Sequence, residues 1–204
     1  VRTRIEPDLE LLMMSEGLAQ RPGPHPRVDA VLLATVREAI LGCRRVRFTY
    51  KARMSGEVTQ RTVEPYGILY GLRPYLLARD PTASPEGFRL FSLPGISDLE
   101  IRDGVFVRQP DFTLKAYAER SFGTFQEPPV DVVWRVSPQA AADARTWQFH
   151  PTQTLEDQPD GSLIVRFRAG GLLEMCWHLF TWGGEIEVLE PQMLKQEMKK
   201  QLTK

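Results

Sequence analysis

The stretch that decides the fold is Arg45-Val46-Arg47-Phe48-Thr49-Tyr50, in which polar and apolar side chains alternate. Alternation with a period of two puts the apolar side chains on one face of an extended chain, which predicts a half-buried β-strand. The apolar residues that precede this strand recur at helical spacing instead: Leu32, Leu33, Val36, Ala39 and Ile40. Asp29 can cap that helix and Gly42 ends it, so the sequence predicts one helix that leads into a sheet.

More short strands follow, separated by turns that contain glycine or proline. They are predicted over 58–64, 66–70, 75–79, 88–93 and 96–101. Pro65 ends the first of them. Strands that recur about every 8–12 residues with tight turns are typical of a small barrel rather than of a doubly wound sheet.

The pattern changes after a helix-like piece over 111–120 and a loop through Pro128-Pro129. Extended segments are predicted over 130–136, 147–155, 162–168 and 185–189, and helices over 139–145, 172–182 and 191–202. This β-α-β-β-α-β-α order describes a small α+β sandwich with helices on one face of an antiparallel sheet. The predicted fold class is therefore α+β and mostly β, a small β-barrel with an N-terminal helix followed by a small α+β sandwich domain.

The domain boundaries follow from these changes of pattern. Residues 9–14 predict one short helix, and Arg21-Pro22-Gly23-Pro24-His25-Pro26 is a linker because its three prolines cannot be helical. The predicted division is a linker or arm over 1–28, the barrel over 29–108, a helical linker over 109–129 and the α+β domain over 130–204. The chain begins with Val1, so we expect it to be part of a longer protein.

Composition excludes several classes of protein. Lys+Arg and Asp+Glu are both 26, so the net charge is zero, which excludes a uniformly basic nucleic-acid coat or an acidic tail. A hydrophobic fraction of 42% excludes wholesale disorder. The apolar runs fall short of the roughly 18 residues of a membrane span, and acidic residues near the N-terminus argue against a secretory signal. The distant cysteines Cys43 and Cys176 predict a reducing, cytoplasmic setting without a disulfide or zinc site.

The charge is unevenly distributed along the chain. Residues 31–110 hold 12 basic and 8 acidic side chains, and Lys51 is the only lysine among those basic ones. Arginine grips phosphate or carboxylate bidentately and stacks on bases, which predicts an anionic ligand for this part. A high-GC genome, which favours arginine codons, is the alternative explanation.

The residues that could support catalysis are few. Glu174 and His178 are four residues apart on one predicted helix, which allows a metal site but favours a surface ion pair. Cys43 stands next to Arg44 and Arg45, which could lower its pKa, but no histidine accompanies it. The sequence carries no common catalytic or nucleotide-loop motif. We therefore expect no enzyme, no cofactor and no metal.

Arginines share predicted strand faces with aromatic residues. Arg61 lies on a face with Thr59 and Val63, whereas two other faces are Tyr75-Leu77-Arg79 and Arg89-Phe91-Leu93. Guanidinium groups hold phosphates and aromatic rings stack bases, so this pattern favours single-stranded nucleic acid or a nucleotide. The alternative is that arginine stems cover a barrel edge while their heads stay in water.

Residues 36–101 resemble the WYL domain, an Sm-like barrel module of bacterial transcription regulators. The matching pieces in order are Ala39-Ile40, Val46-Arg47-Phe48-Thr49-Tyr50, Arg61-Thr62-Val63-Glu64-Pro65-Tyr66-Gly67-Ile68, Arg73-Pro74-Tyr75-Leu76-Leu77-Ala78 and Arg89-Leu90-Phe91-Ser92-Leu93-Pro94-Gly95-Ile96. The resemblance implies an Sm-like (SH3-like) barrel for this part of the chain.

Residues 130–195 are similar to the C-terminal extension domain that follows the WYL domain. The matching pieces are Trp147-Gln148-Phe149-His150-Pro151-Thr152-Gln153, Asp160-Gly161-Ser162, Glu174-Met175-Cys176-Trp177-His178-Leu179 and Val188-Leu189-Glu190-Pro191. The two similarities together imply the effector-sensing and dimerisation region of a transcriptional regulator.

The resemblance also implies where an effector binds. In the family, basic residues around the tyrosine bind it, and for some members the effector is single-stranded DNA. The matching residues here are Arg61, Tyr75 and Arg89, and the expected mechanism is an anionic ligand that bridges Arg61 and Arg89 beside Tyr75. Binding is then expected to favour one arrangement of domains or subunits.

This sequence departs from the family at the same place. Pro74 stands where tryptophan is usual, Ser92 and Gly95 replace two arginines, and Pro94 replaces an aspartate. Each lost charged hydrogen bond to phosphate costs about 1.5–3 kcal/mol. The residues that could compensate are Arg79, Arg45 and Arg47.

The resemblance sets the expected partners. They are single-stranded DNA or RNA, or a nucleotide-like anion, and a second copy of the chain in a homodimer, with no membrane. Family members usually carry an upstream winged helix-turn-helix that binds duplex DNA, and we expect that unit to be absent from this chain because it does not fit into 1–30. The alternative function is a ligand-free dimerisation scaffold of a regulator.

Overall fold

The computed structural model describes residues 26–71, 73–81 and 87–203. The predicted helix over 9–14 and most of the proline segment that follows it lie outside these residues. In the first half the elements are α1 (Ala30–Leu41), β1 (Arg44–Lys51), β2 (Val58–Tyr70), β3 (Pro74–Arg79), β4 (Phe88–Ser92), a 3₁₀ turn (Leu93–Gly95) and β5 (Ile96–Val105). The predicted helix and strands are therefore present, with one correction described below.

The helix α1 begins and ends as its sequence predicts. The side chain of Asp29 accepts a hydrogen bond from the backbone N–H of Val31 at 3.2 Å. Gly42 closes the last turn by donating its N–H to carbonyl groups of the helix. Val36 and Ala39 are fully buried and pack against the sheet.

The correction concerns the strand that runs through Pro65. The predicted strands 58–64 and 66–70 are one strand, β2, which pairs with β1 over its first half and with β3 over its second half. The register shifts between Pro65 and Gly67, which marks a β-bulge. A bulge tolerates proline because the residue there does not need to donate to the ladder.

The order of the strands bears on the predicted barrel. The strand order is β4-β3-β2-β1-β5, all pairs are antiparallel, and β4 and β5 form the two edges of the sheet among the described residues. The strands β4 and β5 do not pair with each other among the described residues, so the sheet is open, and the Sm-like form of the predicted small barrel stays a prediction.

The open sheet curls strongly around one core. The rings of Tyr50 on β1 and Phe91 on β4 are 5.1 Å apart. These strands are three positions apart in the sheet, which in a flat sheet would separate them by about 14 Å. Curling lets residues from both edge strands, Phe91 and Ile96, pack into the same core as Phe48 and α1.

The outer face of the sheet is covered by the chain that follows β5. Phe106, Phe112 and Tyr117 pack against Tyr66 and Leu77 there. A short helix, α2 (Leu114–Ala118), lies in this segment where a longer helix over 111–120 is predicted. Aromatic residues therefore anchor the connecting segment to the sheet.

The second half contains its own sheet and its own core. Its elements are β6 (Val130–Val136), α3 (Ala141–Ala144), β7 (Thr154–Asp157), β8 (Leu163–Ala169), α4 (Leu172–Phe180), β9 (Ile186–Glu190) and α5 (Gln192–Leu202). The strand order is β7-β8-β6-β9 and every pair is antiparallel. The predicted β-α-β-β-α-β-α order is confirmed, and it has the split βαβ arrangement of ferredoxin-like domains.

Two predicted segments of this half are shorter in the structure. The helix over 139–145 is reduced to α3, and the extended segment over 147–155 contributes only the start of β7. Trp134, Met175 and Leu194 are fully buried in the core between this sheet and the helices. Within the described part of the chain, we find no helix with both the length and the apolar character that crossing a membrane requires.

Candidate functional site

The structure separates the predicted tyrosine from the two predicted arginines. Residues paired across antiparallel strands lie on the same face of a sheet, and neighbours along one strand lie on opposite faces. Arg89 pairs with Ala78, and Arg61 pairs with Phe48, so both arginines lie on the face of the core. Tyr75 is three residues from Ala78 on β3 and therefore faces the other side. Binding at Arg61 and Arg89 stays a prediction, but Tyr75 does not lie beside them.

Internal carboxylates already engage three of the arginines that the sequence analysis names. Arg79 donates from Nε to Glu64 Oε2 at 2.8 Å, and Arg45 donates to the other oxygen of Glu64 at 2.9 Å. Arg61 Nη1 lies 4.0 Å from Asp80 Oδ2. Glu64 is 1% exposed, and a buried carboxylate needs such partners because its desolvation is expensive.

The other two predicted arginines lie at the surface. Arg89 is exposed on β4. Arg47 is exposed on β1, where its Nη2 donates to Gln60 Oε1 at 2.6 Å. Both guanidinium groups are accessible to solvent, and within the described part of the chain neither stacks on an aromatic ring.

A cavity of about 950 Å³ lies between the end of the curled sheet and α4. Its charged lining residues are Arg53, Arg73 and Glu174, and its aromatic ones are Tyr50, Tyr75, Phe125 and Trp177. Tyr75 is the one residue from the predicted set that lines it. The second half of the chain contributes α4 and the segment that precedes β6, so the wall of the cavity comes from both halves.

The aromatic residues of this cavity form a connected series. The ring centroids of Tyr75 and Phe125 are 6.2 Å apart, and those of Phe125 and Trp177 are 6.5 Å apart. Phe125 and Trp177 are both more than a third exposed. Partly exposed rings that line a concave surface offer faces on which a planar ligand can stack.

Arg53 and Arg73 bring positive charge to the cavity. Neither forms an ion pair with a carboxylate among the described residues, in contrast to Arg45, Arg61 and Arg79. Burial raises the pKa of the Tyr75 hydroxyl above its usual value, and the positive charges of Arg73 and Arg53 oppose that rise. Both guanidinium groups are therefore within electrostatic reach of the Tyr75 ring.

A smaller cavity of about 440 Å³ adjoins the first and shares Arg53 and Arg73 with it. Lys51 adds a third cation, and its lining contains no carboxylate among the described residues. Ser92, Pro94 and Gly95 also line it, so three of the four positions that depart from the family sequence lie here. The three cations are Lys51 and Arg53, at and just after the end of β1, and Arg73, in the turn before β3. The residues suggested from the sequence as compensating, Arg45, Arg47 and Arg79, do not line this cavity.

Glu174 connects α4 to the segment over 121–127. Its Oε1 accepts a hydrogen bond from the backbone N–H of Thr124 at 2.9 Å, and its Oε2 accepts one from Phe125 at 2.8 Å. A Cβ on Gly123 would lie 2.3 Å from the carboxyl carbon, so only glycine lets the carboxylate approach. The interpretation of Glu174 and His178 as a surface ion pair is therefore wrong.

A second carboxylate makes the reverse connection. Glu127 Oε2 accepts hydrogen bonds from the backbone N–H groups of Gly171 and Leu172 at 3.0 and 2.9 Å. These are N–H groups that the first turn of a helix leaves without an internal partner. The segment 121–127 and α4 are thus fixed to each other by two carboxylates, which we call the carboxylate clamp.

The two histidines of the second half, His150 and His178, are held by hydrogen bonds and aromatic contacts inside the domain. His150 is 2% exposed, and its ring nitrogens lie 2.8 Å from Thr152 Oγ1 and 3.0 Å from the Glu119 carbonyl oxygen. His178 accepts a hydrogen bond from Trp182 Nε1 at 3.0 Å within a group of aromatic rings. Burial lowers the pKa of both histidines and raises the pKa of the Cys176 thiol to about 11.

Sequence reasoning missed the residues that complete the cavity. Arg73 stands two residues before Tyr75 in a segment that the sequence already singled out, so its position was a usable signal. Arg53 stands in the turn after β1, where no sequence pattern marks it as a ligand-binding residue. Glu174 and Trp177 lie about one turn apart on α4. That helical spacing does not by itself reveal that this face of the helix meets the first sheet.

Family models match both halves of the chain. The WYL domain matches residues 31–101, and the WCX domain matches residues 128–204. The chain therefore contains a WYL domain followed by a WCX domain. This agrees with the resemblance described from the sequence.

Similar proteins include Protein PafC of Mycobacterium tuberculosis, which is 29% identical over 171 residues. That match covers 81% of this chain and 51% of PafC, so the chain spans about half the length of this relative. PafC from a second strain of the same organism, H37Rv, matches equally.

Two solved structures are also similar. Proteasome accessory factor B/C (PafBC) of Arthrobacter aurescens aligns with a TM-score of 0.41 and 21% identity, over 90% of this chain and 28% of that one. A CRISPR Cas-related protein aligns with a TM-score of 0.56 and 13% identity, over 84% of this chain and 49% of that one. The second match supports the fold.

Proposed function

We propose that this chain is the effector-sensing region of a cytoplasmic transcriptional regulator, and that it binds an anionic ligand in the cavity between the curled sheet and α4. The ligand is single-stranded nucleic acid or a nucleotide. The observation that carries the proposal is the group formed by Lys51, Arg53 and Arg73 next to a series of aromatic rings. The WYL and WCX domain matches support the regulatory role.

The chemistry of the cavity fits such a ligand. Arginine donates two parallel hydrogen bonds to a phosphate, and its charge is permanent. Arg53 and Arg73 have no carboxylate partner among the described residues, so phosphate does not have to displace one. Tyr75, Phe125 and Trp177 offer ring faces for bases, and base stacking on an aromatic side chain contributes about 1–3 kcal/mol.

The position of the cavity suggests how binding is transmitted. Its wall includes Tyr75 from the sheet and Trp177 from α4, so a ligand that touches both stabilises one arrangement of the two domains. The carboxylate clamp fixes the segment 121–127 to α4, so a shift of α4 moves that segment too. We propose that a second copy of the chain and an attached DNA-binding module respond to that shift. The first domain is then an Sm-like module that senses the ligand and dimerises, and it does not catalyse a reaction.

A binding titration tests the proposal. Fluorescence anisotropy with labelled single-stranded DNA should show saturable binding by the whole chain, weakened about tenfold or more in Arg73→Ala and in Arg53→Ala. Arg166→Ala is the matched control, because Arg166 is an exposed arginine of β8 that lines neither cavity and whose Nε lies 3.7 Å from Glu156. Arg61→Ala and Arg89→Ala test the residues predicted from the sequence in the same assay.

The same titration separates the alternatives. Equal losses in Arg73→Ala and Arg166→Ala would mean that only overall charge matters, and the cavity would then not be the site. The alternative function predicts that the chain is a dimer and that single-stranded DNA, single-stranded RNA and nucleotides neither bind it nor raise its melting temperature. That result would identify the chain as a ligand-free dimerisation scaffold.

A further inference from the structure

We propose that the small cavity is a site for a terminal phosphate, the phosphate monoester at the end of a nucleic-acid strand or on a free nucleotide. Lys51, Arg53 and Arg73 hold it. This inference rests on the proposed function, because it names the chemical group of the anionic ligand that these cations select.

The lining of the small cavity is charged with one sign. Lys51, Arg53 and Arg73 are its charged residues, and no carboxylate belongs to the lining among the residues that the structure describes, so the three cations sum to +3. Within that same part of the chain none of the three forms an ion pair, whereas Arg45 and Arg79 share Glu64. Their charge is therefore available to a ligand.

The two kinds of phosphate in a nucleic acid differ in charge and in acceptors. A terminal monoester carries a charge of about −1.5 to −2 at pH 7 and has three strong acceptor oxygens. An internal diester carries one negative charge and has two oxygens outside the chain. Three cationic side chains can each donate to a separate oxygen of the monoester, but a diester leaves one of them without an oxygen of its own. The small cavity therefore favours the monoester.

The large cavity provides the place for the base of the same nucleotide. Arg53 and Arg73 line both cavities, so a phosphate that they hold lies next to the large one. Glu174 lines only the large cavity and repels a phosphate from that side. The rings of Tyr75 and Phe125 offer stacking faces there. A terminal nucleotide thus has one orientation, with its base in the large cavity and its phosphate in the small one.

The experiment compares one single-stranded DNA sequence with three different 5′ ends: a hydroxyl, a phosphate and a methyl phosphate. The methyl ester keeps the phosphorus and its position but removes one charge and one free oxygen, so it imitates an internal diester at the end of the strand. By anisotropy competition on the whole chain, we expect the 5′-phosphate strand to bind about tenfold or more tightly than the methyl phosphate strand, since a hydrogen bond between charged groups is lost.

Two further comparisons identify the source of the phosphate. The same three groups at the 3′ end of the strand show which end is bound. AMP against its methyl ester shows whether a free nucleotide is sufficient. A preference for the monoester in any of these pairs supports the terminal-phosphate site, and the pair with the largest ratio names the ligand.

Lys51→Ala tests the place of the phosphate, because Lys51 lines the small cavity and not the large one. This variant should reduce the ratio between the phosphate and the methyl phosphate strand about threefold or more. Lys115→Ala is the matched control, because Lys115 lines neither cavity and its Nζ lies 3.7 Å from Glu119 Oε1. It should retain the ratio. An unchanged ratio in Lys51→Ala would show that the small cavity does not hold the terminal phosphate.

The outcomes distinguish this inference from the proposed function. If strands bind with equal affinity whatever their ends, and AMP binds no more tightly than its methyl ester, the terminal-phosphate site is wrong and the anion site of the proposed function stands. If strands and nucleotides all fail to bind, both the inference and the proposed function are wrong.

Discussion

At the scale of single residues, Glu64 shows how one buried carboxylate organises the first sheet. It lies on β2 and accepts hydrogen bonds from Arg45 on β1 and Arg79 on β3. The two arginines are 43% and 30% exposed at their side chains, so their other donors reach water. Glu64 therefore ties three strands together and uses two arginines that the sequence suggested for a ligand.

Removing the charge of Glu64 should destabilise the fold. Glu64→Gln leaves two guanidinium groups without their carboxylate, so we expect the free energy of unfolding to fall by about 1–3 kcal/mol. Urea unfolding measures the change, with Glu156→Gln at the exposed surface as the control, which should stay within about 0.5 kcal/mol of the parent. Equal stability of the parent and Glu64→Gln would show that the carboxylate does not hold the strands.

The buried histidines should make stability depend on pH. Burial lowers the pKa of His150 and of His178, so the folded state binds protons less readily than the unfolded chain. Their contribution is present above about pH 6.5, the unfolded value, and is lost as pH falls toward the folded pKa. Hydrogen bonds from Ser162 lower the pKa of Asp160 to about 2. Asp160 therefore changes the stability only below about pH 4, outside the range of the two histidines.

Urea midpoints at pH 7.5 and pH 5.5 test this expectation. The parent should lose stability at the lower pH, and His150→Gln should lose less between the two pH values because one of the two groups is gone. A parent chain that is equally or more stable at pH 5.5 would contradict the assignment of both histidines as buried and neutral.

At the scale of elements, the carboxylate clamp explains why α4 can form a wall of the cavity. Glu174 reaches out of the helix to the segment 121–127, and Glu127 reaches back to the first turn of the helix. Gly123 makes this possible because it has no Cβ. The segment that connects the two domains is thus fixed to α4 of the second domain at both of these carboxylates.

Gly123→Ala should break this contact. The added Cβ would meet the Glu174 carboxylate at 2.3 Å, so we expect a loss of stability of about 1–3 kcal/mol. In the Glu174→Ala background the same change meets no carboxylate and should cost much less, which a double-mutant cycle by urea unfolding measures. Additive effects would contradict the close approach of the two residues.

Much of the element order was predictable from the sequence, whereas the contacts between elements were not. Alternation over 45–50 and the Asp29 cap are local signals, and both are confirmed. Pro65 misled the prediction because a β-bulge accommodates it, which local rules cannot reveal. The open edge between β4 and β5 and the meeting of Glu174 with Thr124, 50 residues away, depend on tertiary packing.

At the scale of the whole molecule, the large cavity lies between the two domains and is lined by both. Under the proposed function, a ligand there contacts both the curled sheet and α4 and so stabilises the contact between them. The proposed anion site therefore includes Thr124 and Phe125 of the connecting segment. The predicted homodimer would contain two such sites, one in each chain.

Ligand binding should slow hydrogen exchange in the connecting segment. The N–H groups of Thr124 and Phe125 are hydrogen-bonded to Glu174, which lines the cavity, so a ligand that holds α4 in place reduces their opening. Exchange measured by mass spectrometry with and without single-stranded DNA should show added protection over 121–127. Protection confined to the face of Arg61 and Arg89 would move the site away from the cavity.

The salt dependence of binding tests the central claim most directly. For single-stranded nucleic acid, log K falls with log salt by about 0.7 for each phosphate contact, so three cations at the cavity predict a slope near −2. The Arg53→Ala/Arg73→Ala double variant should reduce the magnitude of that slope by about 1.4, whereas Arg166→Ala should leave it unchanged. An equal slope for the parent and the double variant would show that these arginines do not hold the phosphates.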